Sequence, residues 1–375
     1  MTAQSTSSPA ETRARIAKMY RDVAAPCMSA AEFALIKSMI DFKAFDVIPE
    51  EGDIAIADIA TKVGGTEEVL IRITNFLVAR EVLASPATGR VAHTPQSLLY
   101  RSDQPTAWLY IHMFNNALRS FAQLPTFFAK FGLSSPKSVR TTPLGLAHGE
   151  EDKPHYEIIV DDKSVHKGFN EALGAVGDMY SLKGVYDFGW IREALDANTD
   201  RLAIVDFGGC LFIFFWDIVR SNAYIPAERC AILDLPQVIE NTRANVAKND
   251  DELQHIGLIP GSMFEELPEK ARGACVFQIR RVLNDFPDEE VVKALTNIRK
   301  ALAPDSRLLI IEEMLNPKIP LNTGLDIFLM MGAGKRRNAE MFSKLAEPAG
   351  FKLNAEFSNV NAEFDDFGVL EFIPI

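Results

Sequence analysis

A short glycine-bearing turn is the first place where this sequence could do chemistry. The apolar run 202–205 ends at Asp206 and passes straight into Phe207-Gly208-Gly209-Cys210-Leu211-Phe212. Glycines at the end of a strand let the backbone bend sharply and approach a ligand closely, as the first turn of a nucleotide-binding α/β fold requires. Further on, Ile232-Leu233-Asp234-Leu235-Pro236 sets an acid at the end of the next apolar run, where a ribose diol would be held. A Gly-Gly turn alone says little. With a spaced acid on the second strand it reads as a nucleotide site. The four cysteines, Cys27, Cys210, Cys230 and Cys275, show no Cys-x-x-Cys spacing and no Cys/His cluster, so neither a disulfide framework nor a zinc site is expected. His112, in Ile111-His112-Met113-Phe114, is a lone helical histidine, a type that more often packs than reacts.

These residues need elements to position them. From Arg201 onward, strand-length apolar runs alternate with helical stretches: Leu202–Phe207, Ala231–Leu233, Ala274–Ile279, Arg307–Glu312 and a terminal Val369–Ile373. Such alternation predicts a mostly parallel sheet covered on both faces. The first third is different. Helical spacing over Ala31–Phe45 is followed by two short helices, Ile54–Val63 and Glu67–Ala79, separated by Gly64-Gly65. A small hairpin, Val82–Ala84 with Val91–His93, completes a winged-helix pattern. The second of those helices carries two Glu and one Arg, which is no DNA-reading surface. Long helices are expected over Trp108–Phe131 and Ser164–Met179. The expected organisation is a disordered or helical tail over 1–24, a winged-helix dimerisation domain over 25–184 and a Rossmann-like domain over 185–375.

Composition bounds the rest. The chain has 375 residues, 47% hydrophobic and 24% charged, enough for two cored domains. A net charge of -12 argues against nucleic acid or an anionic membrane as partner. The polar start, residues 1–12, has no signal-peptide core. The apolar stretch 202–219 is interrupted by Asp206 and Asp217, so it is read as buried rather than spanning. A cytoplasmic homodimer is expected, since residues 27–131 hold more apolar surface than a small domain can hide alone.

Several segments together resemble the fungal branch of the plant-type, metal-independent O-methyltransferases. They are Val205-Asp206-Phe207-Gly208-Gly209, Asp234-Leu235-Pro236-Gln237-Val238-Ile239, Arg280 to Glu289, Ala303-Pro304-Asp305-Ser306-Arg307, Pro143 to Gly149 and Leu325 to Lys335. The likeness runs in order over residues 25 to 375. It implies a class I S-adenosylmethionine (SAM) methyltransferase fold behind a helical dimerisation domain. It also implies a remnant SAM site at Asp206, Gly208, Gly209 and Asp234, and an apolar pocket lined by Phe169, Leu173, Met330 and Met331 with Phe286 at its floor.

Departures from the family pattern shape the functional expectation. The glycine loop carries Cys210 and Phe212 where the family has glycine, and an acid expected near the adenine is Ser262. The family's catalytic histidine is Asn284, which cannot take a proton at neutral pH. One flanking acid persists as Glu312, whereas the other is Arg336. These changes predict that no cofactor binds, SAM remaining possible. They also predict a small apolar polyketide-derived substrate and a ring-forming reaction like that of the methyltransferase-like pericyclases of fungal polyketide–pyridone pathways. In that reading Asn284 and Asp285, aided by His112, Glu312 and Arg336, polarise a substrate carbonyl through fixed donors. A rate flat between pH 6 and 8 is then expected. The alternatives are a SAM-dependent O-methyltransferase using another base, such as Asp285 or an acid on the substrate, and a non-catalytic dimer partner of an active homologue.

Overall fold

The computed structural model describes residues 8–161, 181–209, 218–246, 255–358 and 367–375. Phe169, Leu173, Cys210 and Phe212 therefore lie outside the described residues. The chain divides into two compact units, the first running to Leu118 and the second taking up at Arg119. The sequence placed this boundary near residue 185. The change of rhythm there marks where the sheet begins, while the helices Arg119–Phe131 and Pro143–His148 already pack with the second unit.

In the first unit, helix α1 (Pro9–Asp41) opens with a capping box between Ser8 and Glu11, so residues 9–24 are helical. Its C-terminal part buries Ile36, Met39 and Ile40 against Phe45, Ile59, Leu70 and Leu77. Its N-terminal part leaves Ile16, Tyr20 and Val23 exposed at i, i+4, i+7. By length and composition α1 is also apolar enough to cross a membrane. The expected wing is present: β1 (Ile54–Ala55), β2 (Leu83–Ala84) and β3 (Arg90–His93) pair antiparallel in the order β1-β3-β2.

The second unit holds a seven-stranded sheet of β4 (Ile204–Phe207), β5 (Cys230–Asp234), β6 (Gly257–Pro260), β7 (Val276–Arg280), β8 (Arg307–Glu313), β9 (Phe351–Ser358) and β10 (Phe367–Pro374). The order is β6-β5-β4-β7-β8-β10-β9, parallel from β6 to β8, with β10 antiparallel to both neighbours. Val205, Ala231, Phe277 and Leu308 bury one face of the sheet, and Ile204, Ile232, Val276 and Leu309 bury the other. Strands covered on both sides read as continuous apolar runs, which is why the alternation was visible in the sequence. The strand order reverses between β4 and β7. In open α/β sheets ligands bind at the carboxyl ends of the strands beside such a reversal.

Candidate functional site

Gly208 and Gly209 follow β4 at that reversal. Gly208 has φ +75°, and a side chain there would meet Val282 Cγ2 at 2.9 Å. A Cβ at Gly209 would lie 2.1 Å from Asp206 Oδ2, so only a bare backbone fits this turn. Below it, Asp206 is 2% exposed and accepts a hydrogen bond from Gln278 Nε2 at 3.1 Å. Burial pushes its carboxyl up to about 7. At the end of β5, Asp234 uses Oδ1 to accept the Leu235 N–H at 2.7 Å, which leaves its other oxygen open to a ligand hydroxyl. Burial lifts this carboxyl to about 6. Ser262 accepts the Phe264 N–H at 3.2 Å, and the neighbouring Gly261 N–H holds the Asp234 carbonyl at 2.9 Å. The turn beside β6 therefore keeps its place despite the loss of an acid.

The turn after β7 is held from two sides. Glu312 Oε1, on β8, accepts the N–H groups of Val282 at 2.9 Å and Asn284 at 3.2 Å. From the other side, the Lys335 N–H donates to the Asn284 carbonyl at 2.7 Å. The fully buried Arg337 donates to the Leu283 and Phe286 carbonyls at 3.0 and 2.7 Å and to Asp288 at 2.7 Å. Gly334 makes this approach possible: a Cβ there would lie 2.5 Å from the Asn284 oxygen. Arg281 at φ +53° and Ala333 at φ +75° bend the two segments toward each other.

Within this clamp the Asn284 side chain is oriented by its Nδ2, which donates to the Glu313 carbonyl at 3.2 Å. One of the two amide N–H groups is thus engaged, and the buried acceptor Oδ1 has no partner. Arg336 is also committed. It is 1% exposed and its Nη2 pairs with Glu313 Oε2 at 2.7 Å, while Arg281 pairs with the other Glu313 oxygen at 3.2 Å. Burying a guanidinium demands such a partner.

Burial acts on two carboxyls beside Asn284. Burial pushes Asp285 up to about 7, with Glu313 adding to the rise and Arg281 opposing it. Burial and the neighbouring Asp285 push Glu312 up to about 8. The expectation of a rate flat between pH 6 and 8 left these two acids out of account. It had counted histidines and overlooked what burial does to acids. His112 lies in the first unit, bonded to Asn116 Nδ2 at 3.0 Å and lowered to about 4 by burial. Phe286 is buried in the core, its ring 4.8 Å from that of Phe264, and Met331 is buried while Met330 is half-buried. Sequence reasoning missed His155, which opens the helix His155–Asp161 and lies edge-on to Phe286 with ring centroids 6.3 Å apart. No motif marks it, because only the folded chain brings it to this turn. Among the described residues no His/Cys/Asp/Glu group suits a metal ion.

Comparison with known proteins places this geometry. Residues 145–352 match the family model described as the O-methyltransferase domain. The methyltransferase phm5 of Pyrenochaetopsis sp is 38% identical over 340 residues, covering 90% of this chain and 92% of that protein. Among solved structures, OxaC in complex with SAH and oxaline is 20% identical with a TM-score of 0.82, covering 100% of this chain and 94% of that one. The LepI complex with SAM is 18% identical with a TM-score of 0.77, covering 99% of this chain and 90% of that one. Both similarities are similarities of fold. A family of methyltransferases, with neighbours solved around SAM and SAH, overturns the expectation that no cofactor binds. That expectation gave Cys210, Phe212 and Ser262 more weight than the retained Gly208-Gly209 turn and Asp234.

Proposed function

Because the chain belongs to the O-methyltransferase domain family, we propose that it is a SAM-dependent methyltransferase of secondary metabolism in which Asp285, not the residue before it, takes the proton from the group to be methylated. Bound SAM supplies an electrophilic methyl group on a sulfonium. The chain's part is to hold, orient and deprotonate. The bare Gly208-Gly209 backbone admits close approach, and the open Asp234 oxygen suits a ribose hydroxyl.

The observation that carries the reading is Asp285. It is half-buried on the clamped turn, with its carboxyl near neutrality, where a general base is most effective. With SAM supplying the methyl group and leaving as S-adenosylhomocysteine, the acceptor's proton would pass to the Asp285 carboxylate. Asn284 takes no proton in this scheme.

A second reading is favoured by Asn284 itself. A ring-forming reaction on an apolar polyketide-derived substrate, with SAM bound but not consumed, needs no base at this turn. The two readings share a SAM site and differ in whether Asp285 must ionise. Calorimetry tests the shared part. Wild-type protein is expected to bind SAM, and Asp234→Ala to weaken it by roughly tenfold through loss of a charged hydrogen bond. Failure of the wild type to bind SAM would refute both.

A further inference from the structure

Glu313 ends β8 one residue beyond Glu312, and successive residues of a strand point to opposite sides. While Glu312 holds the backbone of the turn, the Glu313 carboxylate lies between two guanidiniums. Arg336 Nη2 meets its Oε2 at 2.7 Å and Arg281 Nη2 meets its Oε1 at 3.2 Å. Its backbone carbonyl accepts from Asn284 Nδ2 at 3.2 Å. One residue thus ties together the start of the turn, its middle and the segment clamped across it.

The charges around Asp285 show what this arrangement does. Lys335 and Arg337, on the clamping segment, are paired with Asp288 at 2.8 and 2.7 Å. Asp326, on the helix Pro320–Met330, accepts the Arg336 backbone N–H at 2.7 Å. Arg280, on β7, acts on Asp206. His155, on the helix packed against Phe286, is lowered to about 4 by burial and is neutral. Glu312 is raised to about 8 by burial and by Asp285. Among the described residues, Arg281, Arg336 and Glu313 then set the balance. Arg336 brings a cation to a place where the sequence implied an acid, and Glu313 is the anion that meets it. Without that anion, two guanidiniums beside the turn would stabilise an ionised carboxylate and so weaken it as a base.

We propose that Glu313 is a positioning residue for the base: held between Arg281 and Arg336, it cancels their charge beside Asp285 and fixes the Asn284 amide, so that Asp285 stays basic enough to take the acceptor's proton. This rests on the methyltransferase reading, with Asp285 as base, and adds to it the residue that tunes that base. Glu313 itself takes no proton and touches no substrate.

The test reads Asp285 directly and needs no acceptor. Full-length protein carrying carbon-13 at its aspartate side-chain carboxyls is saturated with SAH and titrated by NMR from about pH 5 to pH 9. Asp285→Asn assigns the signal. The wild-type carboxyl should titrate near 7. Glu313→Gln should move it toward acid by about one pH unit, and Arg281→Gln should move it toward alkali. Both variants break the same ion pair, so opposite directions separate charge from loss of structure. Glu313→Asp, which keeps the anion, should restore most of the wild-type value. SAH affinity within about twofold of wild type, measured by calorimetry, shows that each variant is folded. Should Glu313→Gln fail that check, the alkaline movement in Arg281→Gln decides alone. No movement, or movement of both variants in one direction, overturns the role of Glu313 and leaves the methyltransferase reading standing. A wild-type Asp285 that titrates in the ordinary carboxylate range, or a wild type that binds no SAH, overturns both.

Discussion

Replacing Gly334 by alanine would set a methyl carbon 2.5 Å from the Asn284 carbonyl oxygen and 3.1 Å from both Asp285 Cα and the Leu329 carbonyl oxygen. All three neighbours are backbone atoms, so no side chain can swing aside. The segment 332–337 must lift, which stretches the Lys335 N–H to Asn284 bond now at 2.7 Å. Overpacking costs about 1–3 kcal/mol and the lost hydrogen bond about 0.5–1.5 kcal/mol. At roughly 2–4 °C per kcal/mol for a unit of this size, the melting temperature should fall by about 3–18 °C. The same shift displaces Asp285, and misplacement by about 1 Å is enough to lower kcat roughly 10²-fold. Calorimetric melts and turnover measured together make the assay. Gly324→Ala is the control, because a Cβ there meets nothing within 4 Å and should leave stability equal or slightly higher. If Gly334→Ala melted within a degree of wild type and kept its kcat, the clamp on the turn would be refuted.

Other consequences follow from burial and exposure. Burial raises Asp206, Asp234, Asp285 and Glu312 above ordinary carboxylate values, so each binds its proton more tightly folded than unfolded. Their contribution to stability is fully present below about pH 4 and is lost as pH rises through about 6 to 8, so melts of the ligand-free protein should fall from pH 5 to pH 8. A flat or rising trend would contradict the burial of these acids. The stripe Ile16, Tyr20 and Val23 on α1, with Tyr20 75% and Val23 80% exposed, should be covered by a second copy. Sedimentation should show a dimer that Tyr20→Glu with Val23→Glu dissociates, and a wild-type monomer would end that proposal.

Much of the sheet was legible because its central strands are buried on both faces. β4, β5, β7, β8 and β10 announce themselves as apolar runs, whereas β6 is short and bounded by Gly257 and Pro260. β9 lies at the sheet edge and alternates buried with exposed residues, so Lys352, Asn354 and Glu356 hide it. The start of α1 is polar and capped rather than apolar, which is why only its buried end was visible. At the site, Asn284, Asp285 and Glu312 were found by motif, but their states were not. The direction of the Asn284 amide is set by a carbonyl 29 residues away, and the raised Asp285 and Glu312 values come from burial. His155 joins the turn through packing against Phe286 and Gly332, and no local pattern could have flagged it.

The central claim is that Asp285 takes the acceptor's proton during methyl transfer. The direct measurement is kcat against pH for a phenolic or enolic acceptor with SAM, in wild type and in Asp285→Asn. The account predicts a wild-type rate that rises with pH to a plateau with an apparent pKa near 7, following ionisation of Asp285. It predicts that Asp285→Asn binds SAM normally, loses roughly 10²–10⁴ in kcat and shows no such rise. A pH-independent wild-type rate, or an Asp285→Asn variant that turns over unchanged, would contradict it.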